Sequence, residues 1–553
     1  MSRFCTAAIL FAALAGAQPP SENFASLEGR VTDVAGQPLR KAGLTLRSSG
    51  QPAASGPYYA ETGVDGAFSF ARIPPGGYTL AVERTSYLRQ DYRSSPAETF
   101  STIALAAGQR LRNIDFKLAR AATLSGRVLD ADNDPVANVS VRLLRRTLQS
   151  GVALSVVRTV STNESGAYTI PDLPPGKYYL DAGYDDTVFS ILGMRAQPVR
   201  GMDVPPYYAD TFYPDRENQA AAVAVPVLHD DLPGMDIHLR KSPAFRVSGN
   251  LTGTVAGHPL EQCQIRLAAI DRPATMIASL FAGQAAQAAK DGSFEFAGWR
   301  FAPGDYFLTV FAAAGRPVLL ASQRLTIRDR DVHLTVNLQP LVELHGKLAI
   351  EGEPQTDFSK LPGTPPPSVT TQVNLFLGNG PMPNDLRSRI QSDGSFAIAN
   401  VAPGVYQVYA SGLPVGTWVK SIRTGSRAAT EGRIEIADAV SPLEITLSRA
   451  TGQITGTVED GQGKPAAGSV TLFSDPPGTQ TSLTGVGDDG KFTFSSLPPG
   501  SYRLYAWEDL VDAQRYDPDF LDAHQNQSIH VTVTDNGTAR VTLRQIPSSD
   551  WPR

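Results

Sequence analysis

The densest group of side chains suited to recognition lies in PPYYADTFYPDREN, residues 205–218. Tyr207, Tyr208, Phe212 and Tyr213 bring four rings into this one segment, with Asp210 and Arg216 among them. Flat exposed rings stack on sugar faces, and neighbouring polar groups bond hydroxyls, so the chemistry on offer is glycan binding. Long loops on rigid scaffolds often carry function of this kind. A second aromatic segment holds Trp507, Tyr516 and Phe520. The candidate binding residues are therefore Tyr207, Tyr208, Asp210, Phe212, Tyr213, Arg216 and Trp507. The competing expectation is that these rings pack their loops down or wedge neighbouring domains apart, because apolar rings are buried more often than displayed.

Catalytic constellations do not assemble. The chain has no HExxH, no GxSxG elbow and no P-loop. His258 and Glu261 have the spacing of a zinc pair, but they occupy a turn that reads Gln37-Pro38-Leu39 elsewhere in the chain. The seven histidines are scattered singly, whereas a metal site needs convergent ligands. GVGDDG (485–490) matches GxGxxG in letters, yet no strand–helix–strand unit surrounds it. DADND (130–134) begins like a calcium loop, but Pro135 stands where such a loop needs Gly, so a plain turn is expected. Asp509, Asp512, Asp517, Asp519 and Asp522 read as a solvated acidic loop. Cys263, in QCQIRL, reads as a buried strand thiol rather than a nucleophile. The expectation is a protein without catalytic residues, metal or cofactor.

What positions these segments is a phrase written five times. It reads DGAFSFARIPPGGYTL (65–80), SGAYTIPDLPPGKYYL (165–180), DGSFEFAGWRFAPGDYFL (291–308), DGSFAIANVAPGVYQV (393–408) and DGKFTFSSLPPGSYRL (489–504). Self-similarity at a spacing of this size marks independent domains rather than solenoid turns. The Asp-Gly or Ser-Gly pair predicts a hairpin turn, since Gly takes positive φ freely. The Pro-Gly pair predicts a second turn, with Gly again supplying the unusual backbone. Alternating residues such as Phe68/Phe70 and Phe492/Phe494 point inward. Tyr78, Tyr178, Tyr306, Tyr406 and Tyr502 follow the Gly by two positions and are expected to act as corner tyrosines bonded to nearby backbone. Each repeat opens on a strand such as LEGRV or ITGTV and closes on one such as NIDFKL or ARVTLR. About seven short strands per repeat indicate a sandwich.

The pattern G-x-V-x-D-x-x-G-x-P followed by D-G-x-F-x-F-x-x-[LI]-P-P-G-x-Y-x-L resembles the carboxypeptidase regulatory-like domain. That resemblance implies an all-β fold, a tandem array of five Greek-key, seven-stranded, transthyretin/prealbumin-like β-sandwiches. The expected domains are 24–119, 123–241, 244–340, 341–449 and 451–547, joined end to end by linkers of a few residues. The domain itself is not a peptidase, and some relatives in this broad sandwich group bind glycans.

The remaining features concern location. Arg3, the apolar run from Phe4 to Leu14 and Ala15-Gly16-Ala17 predict a signal peptide over residues 1–17. No run is long enough for a transmembrane helix. A net charge of −5 with interspersed signs gives no footprint for nucleic acid. The expected protein is secreted to the periplasm, cell surface or medium. Its expected role is a non-enzymatic structural or adhesive scaffold, with glycan binding through the aromatic loops of domains 2 and 5 as the alternative. Its expected partner is a glycan or another cell-envelope component.

Overall fold

The computed structural model describes residues 24–49, 56–93, 101–148, 153–183, 208–228, 230–255, 257–270, 284–297, 300–312, 318–353, 356–361, 371–377, 386–437, 441–475, 481–508, 510, 514 and 516–547. The expected signal peptide, together with Tyr207, Asp509 and Asp512, lies outside them. The chain divides into two compact units, Met1–Ser94 with Glu98–Arg120, and Ser95–Ala97 with Ala121–Arg553.

The first unit is a two-sheet sandwich. Its opening strand, Ala25–Asp33, lies antiparallel to Ala67–Ile73 and parallel to Arg110–Leu111 and Phe116–Leu118. In the second sheet Gly43–Ser48 lies between Tyr58–Glu61 and Gly76–Glu83. Alternation decides what each strand buries: Leu27, Val31, Leu44, Leu46, Phe68 and Phe70 point between the sheets and form one core with Leu80 and Phe116.

The second unit repeats this plan four times. Ala122–Leu129, Val247–Thr252, Val342–Ile350 and Gly452–Glu459 each take one antiparallel and one parallel neighbour. Each of these stretches feeds its own apolar core. The core of the fourth repeat also takes in Phe311 and Leu319 from the third, so these two repeats are packed together and not merely tethered.

The signature differs from its expected form in one respect. The Asp-Gly turn is not a hairpin. Tyr58–Glu61 pairs in one sheet and Ala67–Ile73 in the other, so the turn is an arch between sheets. Its Gly is still required, with φ of 74° at Gly66, 70° at Gly166, 83° at Gly292 and Gly394, and 69° at Gly490. The carbonyl of that Gly accepts a bond from the opening strand each time, from Val31, Val128, Leu251, Leu348 and Val458 at 2.7–2.9 Å. The arch thus ties the two sheets at a shared point.

The Pro-Gly turn also passes between sheets, and its strain sits elsewhere than expected. Gly76 is nearly extended (φ 159°), while the left-handed residues are Arg72, Asp172, Asn400 and Ser496, at φ of 56–58°. Each lies in a bulge: Ala25 pairs with Ile73 and Leu27 with Phe70, leaving an extra residue on the signature strand. The same slip occurs opposite Ala122, Val342 and Gly452. The corner tyrosines behave as expected in all five repeats. Their hydroxyls donate to the carbonyl four residues upstream, Pro74, Pro174, Ala302, Ala402 and Pro498, at 2.6–2.9 Å.

Candidate functional site

The aromatic segment of the second repeat lies on the outward face of its second sheet, and packing has closed it. Thr211–Phe212 adds to the sheet beside Asp181 and Ala182. Phe212 is 3% exposed and packs on Leu144 and Leu154. Tyr208 is 9% exposed, belongs to the core of the repeat, and donates its hydroxyl to Asp130 at 3.3 Å. Tyr213 packs half-buried against the same core. A ring that stacks on a sugar must show a face, so Tyr208 and Phe212 are packing residues, contrary to the glycan expectation. Tyr207 lies outside the described residues. Arg216 is exposed; its backbone exchanges bonds with Phe212 and its side chain stands 3.4 Å from Asp215.

The polar candidates are likewise occupied. Arg142 and Asp181, 3% and 0% exposed, form a bidentate pair at 2.8 and 2.7 Å beneath the segment. Asp210 reaches the same guanidinium at 3.4 Å. In DADND the Asp130 carboxylate accepts from the backbone of Asp132 and Asp134, which holds it below the ordinary carboxylate range with the Asp134 bond foremost. That is an Asx turn, and Asp460 repeats it with Gln462 and Lys464. Cys263 is buried, and burial pushes its thiol up.

Trp507 is fully buried and is also corrected as a stacking residue. Its indole N–H donates to Thr471 at 2.9 Å, and its ring stacks on Tyr505 with centroids 5.4 Å apart. The helix Pro518–Ala523 covers it through Phe520. Asp517 starts that helix, accepting from the N–H groups of Asp519 and Phe520, with Pro518 opening the first turn.

Asp517 has a second role that joins two distant repeats. Its Oδ2 accepts from Nε and a terminal nitrogen of Arg145, 372 residues away, at 2.9 and 2.8 Å. Both side chains are at most 9% exposed. The Arg145 guanidinium also lies 5.5 Å from the centre of the Tyr178 ring, the corner tyrosine, whose hydroxyl burial pushes up. Around this pair the Leu148 N–H donates to the Tyr516 carbonyl at 2.9 Å, and the Leu148 side chain packs into the Trp507 cluster. Arg146 and Lys177 approach Asp519 at 3.5 and 3.9 Å. Asp517 and Asp519, expected to be solvated, are thus one half of a clasp between repeats two and five, whereas Asp522 is exposed as expected. An end-to-end row would keep those repeats apart. The available signal was the strand SVRLLRRT, where arginine and leucine leave no simple polar face because both faces are covered.

The sequence comparison agrees with this architecture. The model of the carboxypeptidase regulatory-like domain matches residues 26–119, 123–205 and 453–544. Three segments of the chain are thus similar to the carboxypeptidase regulatory-like domain. No curated protein matches it. Among solved structures, a Streptococcal ancillary pilin is 12% identical over 57% of this chain and 98% of its own, with a TM-score of 0.20. The major pilin subunit of Bacillus cereus is 9% identical over 77% of this chain and 99% of its own, at 0.14. A putative carbohydrate binding protein from Pseudomonas aeruginosa is 15% identical over 17% of this chain and 88% of its own, at 0.12. At these scores no functional argument rests on them. Among the described residues no helix is long and apolar enough to cross a membrane.

Proposed function

We propose that this tandem regulatory-like protein is a secreted, non-enzymatic structural or adhesive scaffold of the cell envelope. We further propose that it is built of five sandwiches, at 24–119, 123–241, 244–340, 341–449 and 451–547. One observation carries the reading. The groups best suited to ligand chemistry are taken up in packing: the rings at 208, 212 and 507 and the charges at 142 and 181 within their own repeats, and the charge at 517 in joining repeat five to repeat two. Buried ion pairs of this kind fix which surfaces meet and in what orientation. A scaffold needs that property, whereas a catalytic site needs open, convergent groups.

Fractionation of the producing cell tests the export half of the proposal. The mature chain, cleaved after residue 17, is expected in the envelope or medium, and pull-down with it is expected to retain envelope components. Retention in the cytoplasm with residues 1–17 intact would refute it. So would turnover of peptide, ester or glycoside substrates by the pure protein that is lost on substitution of a single polar residue.

A further inference from the structure

The outward face of the second sheet is covered by the chain itself in three repeats of the second unit. Phe212 covers it in repeat two, the packing of Phe311 into the fourth core covers it in repeat three, and Phe520 covers it in repeat five. Repeat four carries the same kind of surface, and among the described residues nothing covers it as Phe520 covers repeat five. Phe376 and Tyr409 form an edge-to-face pair with centroids 5.0 Å apart. Their places in the ladder match those of Phe473 and Tyr505, an edge-to-face pair at 6.1 Å. Phe376 pairs with Gln407 and Asn374 with Tyr409, just as Phe473 pairs with Arg503 and Thr471 with Tyr505. Each tyrosine stands three residues past its corner tyrosine, Tyr406 or Tyr502. The difference is exposure: Tyr505 is 2% exposed beneath the Asp517 helix, whereas Tyr409 is 43% exposed and its neighbour Val405 52%.

The charges around the open pair point to what covers it. Asn374, in the row of Tyr409, pairs on its other side with Arg387, and Gln407, in the row of Phe376, pairs with Arg433. Arg389 continues the same edge as Arg387. All three arginines are exposed, and none has an ion pair among the described residues. Among the described residues of these strands, Glu435 is the acidic residue in the same row, opposite Val405. Where repeats two and five meet, one acidic, aromatic-bearing segment meets both kinds of group: Arg145 and Arg146 of repeat two take Asp517 and Asp519, while Phe520 caps Trp507 of repeat five.

We infer that the face of repeat four centred on Phe376 and Tyr409 is a docking site for an acidic, aromatic-bearing peptide segment of a partner protein. The chemistry is that of residues 516–524. The rings supply a desolvated apolar contact, and Arg387, Arg389 and Arg433 supply the electrostatic complement around it.

A dye-labelled synthetic peptide with the sequence of residues 516–527, YDPDFLDAHQNQ, tests this by fluorescence anisotropy against the full chain. The expected result is saturable, salt-sensitive binding. Tyr409→Ser, and separately Arg387→Glu with Arg389→Glu, should weaken it by about tenfold or more. A peptide with Phe520→Ala should lose binding likewise. These positions are exposed, so the variants keep the wild-type melting curve, and the arginine pair remains informative if the ring variant does not fold. Three results overturn the inference. One is no binding. Another is binding unchanged by these substitutions, which would place the peptide on the repeat-two clasp instead. The last is binding of an acidic oligouronide, but not of the peptide, at Tyr409.

Discussion

Asp517→Asn isolates the charge that joins repeats two and five. Asparagine keeps the shape of the side chain and its ability to cap the helix, so the bonds from the N–H groups of Asp519 and Phe520 persist. What disappears is the negative charge facing Arg145, whose guanidinium bonds Oδ2 twice, at 2.9 and 2.8 Å. With both side chains at most 9% exposed, water replaces little of that loss. Removing one partner of a buried pair costs about 3–5 kcal/mol, because the other charge stays buried alone. The Tyr178 ring stays beside Arg145 in both forms, so the guanidinium is not left without any partner and the lower limit, about 3 kcal/mol, is taken. About 3 kcal/mol corresponds to roughly a hundredfold in an opening equilibrium. The readout is hydrogen exchange at the Leu148 amide, which donates across the clasp to Tyr516. Its protection should fall by about that hundredfold, with Trp507 becoming accessible to quencher. Exchange at Leu148 equal to the wild type would refute the reasoning, since the pair would then hold nothing. The double variant Arg145→Met with Asp517→Leu should recover much of the loss, as a buried apolar pair replaces a buried ionic one.

Tyr406→Phe keeps the buried ring and removes the bond to the Ala402 carbonyl, so chemical denaturation should report a loss of about 1–3 kcal/mol. Gly66→Ala places a Cβ 2.5 Å from the Val31 carbonyl oxygen at a φ of 74° and should cost about 2 kcal/mol or more, whereas Ser496→Gly relieves a left-handed serine at 57° and should gain about 1 kcal/mol. Thermal melting of the two variants should move in opposite directions. Asp130 and Asp460 are held low by backbone bonds in their turns, and Asp357 is pushed down to about 2, chiefly by the bond from Lys360. A carboxyl depressed on folding stabilises fully above its unfolded value of about 4, and that contribution is lost as pH falls through the folded value. The melting temperature should therefore be insensitive to these groups above pH ~5 and fall progressively below pH ~4, less steeply in Asp130→Asn with Asp460→Asn.

The sheets were legible wherever the signal is local. The alternation of Phe68 and Phe70, the glycine after Asp65 and the tyrosine at 78 each imply a strand, a left-handed turn residue and a corner bond, and the structure contains all three. Cys263 was likewise readable as a strand thiol. The arch was misread as a hairpin because an Asp-Gly pair specifies a reversal but not which strand lies alongside. The bulge escaped because its left-handed position holds Arg72, Asp172, Asn400 or Ser496, with no glycine to mark it. At the candidate site, aromatic density was visible, but its meaning depends on what covers the outward face. Phe212 rests on Leu144 and Leu154 of its own repeat, while Trp507 lies under a helix that begins eleven residues later. Arg145 and Asp517 lie 372 residues apart, and no local rule relates them. The same logic makes the bare Phe376–Tyr409 pair visible only after its covered counterpart in repeat five is known.

Zero-length carbodiimide cross-linking of the monomeric chain, read by mass spectrometry, tests the clasp between repeats two and five most directly. Lys177 and Asp519 stand 3.9 Å apart across it, and Lys420 and Glu351, at 2.6 Å within repeat four, serve as the internal control. Both cross-links are expected in the same sample, and the Lys177–Asp519 link should be lost in Asp517→Asn while the control persists. A Lys420–Glu351 product without any Lys177–Asp519 product in the wild-type chain would contradict the account.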